Sequence, residues 1–412
     1  MSSSFDLIKT VQQAQQSSQV LLDIGAKGRE QLLRQLASLI AQYKDDILDA
    51  NTLDLEASRE MAVPSLMLDW LRLTPERVQA VSQLLEALAH QPDPLQQVST
   101  VGFPNVRTQR YHSQGMPLGV IGLVYESFPD LSAIAAGICI KSGNALLLKG
   151  GAEASHSNQM IANLIQAAIA NTEGKPKCVH LLPVDQSDLS RELLTLRSGI
   201  QLIIPYGRPS LIQHVTKQAT VPVLQTAIGN CYLYCSDSEA IDLARQMVID
   251  SYQSEPDAIN AIDKVIFHQN CSLEAVVRLI EHLQTLKYCL KVAPEWSEQF
   301  PTLPVAQAEE WSSALLNFSI LLKPVKHISE ATFWINQNSS GHSNCIATSS
   351  YQESRLFEQN TMSDLVYVNT SPKFERHPKC GDIALGMAKH ARGWGGPIVP
   401  QSLTYRKLIV HP

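Results

Sequence analysis

What this chain lacks narrows its function first. No apolar run goes much beyond roughly ten residues, well short of the ~20 that a membrane-spanning helix needs. No block of basic residues appears and the net charge is −6, so the electrostatic footprint of a nucleic-acid binder is missing. The eight cysteines (139, 178, 231, 235, 271, 289, 345 and 380) are scattered without paired zinc spacing. Cys231 and Cys235 share a strand-like run and make a weak metal pair. Several of the others stand in apolar runs and read as buried free thiols, the pattern of a cytoplasmic protein. The first residues, Met1 to Gln16, show no basic start followed by an apolar core, so no secretory signal is expected.

What is present is organised around Met116 to Ser155. Leu118 to Tyr125 is an apolar run rich in β-branched residues, with no helical stripe, which reads as a strand buried on both faces of a parallel sheet. Ser127 to Asp130 makes a turn, and Leu131 to Ile140 is a helix of small residues. Lys141-Ser-Gly-Asn144 stops it, with Gly143 or Asn144 suited to a left-handed cap. Ala145 to Lys149 is a second buried strand, and Gly150-Gly151 leads into another helix from Glu153. Strand, helix, strand is a βαβ unit. Its carboxyl edge, Lys149 to Glu153, is where an open α/β sheet usually binds a ligand.

At 412 residues the chain is too long for one core, so two domains with an appended segment are expected. Residues 5 to 60 are predicted helical, on stripes of Leu7, Ile8, Val11 and Ala14 and of Leu32, Leu33, Leu36, Leu39 and Ile40. Thr74 caps a helix running to about His90. No convincing strand occurs in the first ninety residues. Residues 99 to 116 hold two short polar strands of a surface arm, with Arg107, Arg110 and His112 as solvated arm residues. After the βαβ unit, strands at 179–183 and 200–205 alternate with helices, which marks a doubly wound sheet. Arg208 and Ser210 open the next helix, as phosphate contacts or, on the plainer reading that the single glycine and the proline of that loop favour, as an exposed arginine and a capping serine. Strands follow at 221–234, 264–267 and 364–368, with helices at 238–252, 273–286, 329–336 and 351–360. The tail ends in Leu408-Ile-Val410, suited to joining a sheet edge.

Taken in order, Asn51-x-x-Asp54-Leu55, Leu71-x-Leu73-Thr74, Pro117 to Gly122, Lys141-Ser-Gly-Asn144, Gly150-Gly151, Gly229-Asn230-Cys231, Ser340-Gly-His342, Val366-Tyr-Val-Asn369 with Ser371, and His390-Ala-Arg392-Gly393 resemble the γ-glutamyl phosphate reductase (glutamate-5-semialdehyde dehydrogenase) family. That family is a branch of the aldehyde dehydrogenase superfamily. The resemblance covers essentially the whole chain. It implies an α/β, aldehyde-dehydrogenase-like fold: a Rossmann-type cofactor domain over 1–224 with an arm at 99–116, a second α/β catalytic-type domain over 225–369, and a segment 370–412 that returns to the first domain and ends in an oligomerisation tail. It also implies reduction of an acyl phosphate with NADPH, on the way to proline.

The implied chemistry needs a thiolate that attacks the acyl carbon, releases phosphate and leaves a thioester to accept hydride. The family's cysteine precedes Asn-Ala; here that position is Ile259, whose sec-butyl group has no lone pair to offer. The superfamily's general-base position is Gln225, whose amide takes no proton at neutral pH. The glutamate that meets the nicotinamide ribose corresponds to Lys379, in Lys379-Cys380-Gly381. The Arg-Pro-Asn after the first strand is Phe128-Pro129-Asp130, and the glycine pair after Pro205 is Gly207-Arg208. These losses fall on functional positions while structural glycines, prolines and strands remain, which drift of an unused protein would not produce.

The resemblance leaves Lys149 and Glu153 as cofactor-binding candidates, with Gly207 and Arg208 beside them; Lys149 is otherwise an ordinary strand-end lysine. Asn230, Ser340, His342 and Arg392 are the substrate-binding candidates, with Arg392 able to grip an acidic metabolite bidentately; turn chemistry and domain packing explain these motifs equally well. Cys231 belongs to the family pattern and is not its nucleophile. Cys380 is the one tempting substitute thiol, with no base evident beside it. Three functions stay open: a catalytically degenerate binding or regulatory homologue with weak or lost NADPH binding, an active NADPH-dependent reductase with an unobvious nucleophile, and a structural assembly subunit. A homodimer or dimer of dimers is expected, and an active reductase or glutamate kinase is a possible protein partner. No nucleic-acid, membrane or metal partner is expected.

Overall fold

A computed structural model describes residues 5–100, 110–184, 186–253, 256–379, 383–391 and 394–411. The chain forms two compact units. The first comprises 1–226, 376–385 and 397–412, the second 227–375 and 386–396. The segment expected to return whole to the first domain is therefore divided, since 386–396 packs with the second unit.

The first unit opens with five helices, Leu7–Asp23, Gly25–Gln42, Lys44–Glu60, Ser65–Leu71 and Pro75–His90. Their starts are set by side chains that take up free amides: Asp6 accepts from the Lys9 N–H at 3.0 Å, and Thr74 from the Arg77 N–H at 3.2 Å. Leu7, Val11 and Ala14 are buried as the stripe requires, but Ile8 is 60% exposed and leaves it. These helices cover a parallel sheet whose strands run, in spatial order, Val179–Leu181, Ala145–Lys149, Val120–Tyr125 and Leu202–Tyr206. Helix Asp130–Lys141 is buried at every residue. Small residues make that possible: a Cβ on Gly137 would stand 2.4 Å from Leu85 Cδ2. Gly143, at φ +75°, supplies the left-handed residue that ends this helix.

A small antiparallel sheet completes the unit. Val98–Thr100 pairs with Arg110–Pro117, which pairs in turn with the terminal strand Thr404–His411. The tail thus joins the arm as expected; Arg107 lies outside the described residues, and the His112 ring stacks on His411.

The second unit is built on a six-stranded parallel sheet. Its spatial order is Cys289–Val292, Ser319–Val325, Ile262–His268, Cys231–Cys235, Ser343–Ala347 and Leu365–Val368. One face packs on helices Ile241–Ser251 and Leu273–Thr285, the other on Ile328–Asn338 and Tyr351–Asn360. Some of these strands carry no clear signal in the sequence. Cys289–Val292 is short, and Ser343–Ala347 opens with the buried polar residues Ser343 and Asn344. No described helix is long and apolar enough to cross a membrane.

Candidate functional site

In the first unit, strand order reverses at Val120–Tyr125: the next two strands lie on one side of it and Leu202–Tyr206 on the other. Such a switch point opens a crevice at the carboxyl ends of the strands. Here it is bridged by the chain itself. The Glu126 carboxylate accepts from the Arg208 backbone N–H at 2.7 Å, from its Nε at 2.9 Å and from its Nη2 at 3.1 Å. Gly207, at φ +146°, allows the close approach, since a Cβ there would sit 2.5 Å from Glu126 Cγ. Arg208 is therefore engaged with a carboxylate rather than presented to a phosphate.

The neighbouring candidates are engaged too. Lys149 is buried, and its Nζ donates to the Pro183 carbonyl at 2.7 Å and the Val184 carbonyl at 3.3 Å. Glu153 Oε1 accepts from the Ser127 N–H at 2.7 Å and its hydroxyl at 3.3 Å. Phe128 is buried, stacked on Trp70 and edge-on to Tyr206. Asp130 receives the Arg77 guanidinium bidentately at 2.6 and 2.7 Å. Ser210 is exposed, and the helix Pro209–Gln218 has no side-chain cap.

The second unit gathers its candidates at the amino edge of its sheet. Ile259 is fully buried. Its carbonyl accepts from the Gly229 N–H at 2.8 Å and from His342 Nε2 at 3.1 Å. Because a carbonyl only accepts, Nε2 must carry the proton. Nδ1 is then the acceptor, and the Ser340 hydroxyl donates to it at 2.6 Å. Burial lowers the His342 pKa from 6.5 to about 4, so the ring is neutral at neutral pH. Cys231 Sγ lies 3.3 Å from the same Nε2. With its lone pair already replaced by a proton, that nitrogen cannot take the thiol's hydrogen. Burial pushes the Cys231 thiol well above its usual range. The arrangement clamps the 259 loop; it does not make a thiolate.

Asn230 belongs to the same clamp. At φ +62°, it donates its N–H to Asp263 Oδ2 at 3.1 Å and its Nδ2 to the Asn338 carbonyl at 2.9 Å. Asp263 also pairs with Lys264 at 2.9 Å, both side chains being almost wholly buried. Desolvation drives the Asp263 pKa up and the Lys264 pKa down. The Ser340 and His390 motifs do meet: the His390 N–H donates to the Ser340 carbonyl at 3.1 Å, and its Nδ1 lies 3.0 Å from Asp364.

Lys379 lines a groove of the helical layer with Arg34, Ser38, Ser82 and His90. His342 faces a backbone carbonyl rather than an open substrate face. Gln225 is half-buried in the first unit. Cys380 and Arg392 lie outside the described residues. Sequence reasoning missed the Glu126–Arg208 bridge, whose members are 82 residues apart, and the Asp263–Lys264 pair. The second had a signal: two adjacent charges inside an otherwise apolar strand. No group of His, Cys, Asp and Glu able to hold a metal occurs among the described residues.

A model of the aldehyde dehydrogenase family matches residues 2–310. Over 406 residues the chain is 41% identical to γ-glutamyl phosphate reductase 2 of Synechocystis sp., covering 98% of this chain and 96% of the relative. The chain belongs to the γ-glutamyl phosphate reductase family. Its kinship to the reductase of Gloeobacter violaceus is 34% over 415 residues, covering 99% of this chain and 98% of that one. Among solved structures, the reductase from Thermotoga maritima matches with a TM-score of 0.88 at 27% identity, covering 99% of both chains. The aldehyde-dehydrogenase-like α/β architecture of this reductase-family chain is thus shared by a solved relative along its whole length.

Proposed function

We propose that this chain is a γ-glutamyl phosphate reductase homologue that has lost the family's thioester chemistry and acts as a binding or regulatory protein. One observation carries the reading: at the nucleophile position a buried aliphatic side chain stands on a clamped loop, and the neighbouring thiol of Cys231 faces a nitrogen that already holds its proton. Gln225 supports it by offering no base. Among the described residues at this position, thioester formation followed by hydride transfer has no group to begin it.

The residues at the first unit's crevice do not fit NADPH well. The Arg208 N–H that would face a pyrophosphate is bonded to Glu126, and the carboxylate repels a second anion. Lys149 and Glu153 are also occupied within the chain. We therefore assign weak NADPH binding or none, with the adenosine end dominating what remains. The terminal strand supports self-association: it lies at one edge of its sheet with Tyr405, Leu408 and Val410 about half exposed, an edge that natural proteins tend to pair. A homodimer or dimer of dimers is our assignment, with a small acidic metabolite or an active reductase or glutamate kinase as the further partner.

The test is semialdehyde oxidation by the purified protein with phosphate and NADP. No turnover is expected. Turnover within the ordinary enzyme range of about 1–10³ s⁻¹ would establish the alternative, an active reductase with an unobvious nucleophile.

A further inference from the structure

At the end of the second sheet opposite to Ile259, two thiols face one another. Cys235 closes the strand Cys231–Cys235, and Cys271 follows the strand Ile262–His268. Their sulfurs are 4.0 Å apart, and Cys271 Sγ also lies 3.6 Å from the Cys235 carbonyl. The turn carrying Cys271 is held against the first strand's exit, because the Ser272 N–H donates to Ser238 Oγ at 2.7 Å and Ser238 reaches the Asn270 carbonyl at 3.3 Å. Cys235 is buried; Cys271 is partly open to solvent, on a turn whose Gln269 and Asn270 are exposed. The other described thiols differ. Cys139, Cys178, Cys231 and Cys345 are buried, and Cys289 is exposed.

We propose that Cys235 and Cys271 are a redox-active dithiol that closes to an intramolecular disulfide by exchange with a disulfide-bearing compound or protein. The accessible member starts the reaction. Cys271 releases its proton to water, and its sulfur attacks the external disulfide, forming a mixed disulfide and expelling one external thiolate. Cys235 then loses its proton and attacks Cys271 Sγ, forming the internal S–S bond and expelling the second external thiolate. The protein loses two electrons and two protons, and the external disulfide becomes two thiols. The roles follow from access and from the Cys235 environment, where the contact with Cys271 and burial both hold its thiol protonated. To bond, the sulfurs close from 4.0 Å to about 2.05 Å.

The consequence reaches the loop at Ile259. The bond would tie residues 36 apart, enclosing the helix Ile241–Ser251, the Ile259 loop and the strand Ile262–His268 in one covalent ring. Closing a loop of that length restricts the unfolded chain, so the oxidised form should unfold about 5 °C higher than the reduced one.

The experiment treats the purified full-length protein with oxidised glutathione, quenches it with acid, alkylates it under denaturing conditions and maps its peptides by mass spectrometry. The expected product is a Cys235–Cys271 linked peptide, two hydrogens lighter than its reduced parts and restored by dithiothreitol. Cys235→Ser should stop at a glutathione adduct on Cys271, and Cys271→Ser should leave Cys235 alkylatable. Thermal unfolding of these variants should be indifferent to the oxidant. The proposal is overturned if both cysteines stay alkylatable, if Cys271 in the natural protein stops at the glutathione adduct, or if Cys271 links to Cys289.

Discussion

The carboxyl edge of the first sheet and the amino edge of the second have both been closed, by different materials. In the first unit the closure is ionic, with Glu126 and Arg208 answering each other across the switch point. In the second it is neutral: a buried isoleucine stands on a loop held by an uncharged imidazole. An ion pair with the Arg208 side chain 41% exposed is weakened by solvent and can exchange partners. A carbon side chain with no solvent contact has nothing to exchange. The first edge therefore keeps charges that can change partners, while the second presents none.

Changing the isoleucine tests the more deeply buried of these two closures. Ile259→Cys alone should leave semialdehyde oxidation at least about a thousandfold below ordinary turnover. Gln225 supplies no base, a contribution of about 10²–10⁴, and an offset of about 1 Å costs roughly another hundredfold. Adding Gln225→Glu and Arg208→Gly should raise the rate while leaving it far below an active relative. Near-normal rates from the single change would mean that the second edge is closed by one residue only.

The clamp itself should carry much of that edge's stability. His342→Ala removes one buried and one partly buried hydrogen bond and leaves a void, so urea unfolding should report a loss of about 2–4 kcal/mol. An unchanged midpoint would mean that the imidazole merely fills space.

A gentler perturbation is acid. The folded His342 holds its proton less tightly than an unfolded one, with a pKa of about 4 against 6.5. Between those values the unfolded chain binds more protons, so stability falls as pH is lowered from 6.5, by at most about 1.4 kcal/mol per unit. The loss flattens near pH 4, and the full contribution is present above 6.5. His342→Asn should remove this slope from the unfolding profile; an identical slope in the variant would assign it to other groups.

The smallest effect belongs to the ionic edge. Glu126→Gln removes the competing charge and frees Arg208, so calorimetry should show NADPH affinity rising about tenfold, or ~1.4 kcal/mol. No change would place the obstacle at Lys149 or Glu153 and erase the distinction between the two closures.

Much of the architecture was legible because its signals are local. The strand Ala145–Lys149 and the helix Tyr351–Asn360 were read to the residue, the strand from an unbroken apolar run. The terminal strand was read from three apolar residues after a break. The closures were not legible, since they are made by partners far apart in the chain. Nothing near Glu126 announces Arg208, and nothing near Ser340 says that His342 turns inward to the carbonyl at 259. The place of Lys379 was not legible for a related reason: the backbone after Phe374 carries it to the helical layer, far along the chain from the helices it meets.

The terminal strand also bears on how the protein is made. Strand Arg110–Pro117 has its partner at Thr404–His411, and Asn144, capping the first βαβ unit, donates to the Leu403 carbonyl at 2.9 Å. A ribosome has emitted the whole second unit before these residues emerge. The first unit must wait with an open strand for most of translation, while the second, whose sheet lies wholly within 231–368, can form its strands ahead of it. A chain stalled or clipped before Thr404 would leave that open edge to whichever neighbour reaches it first.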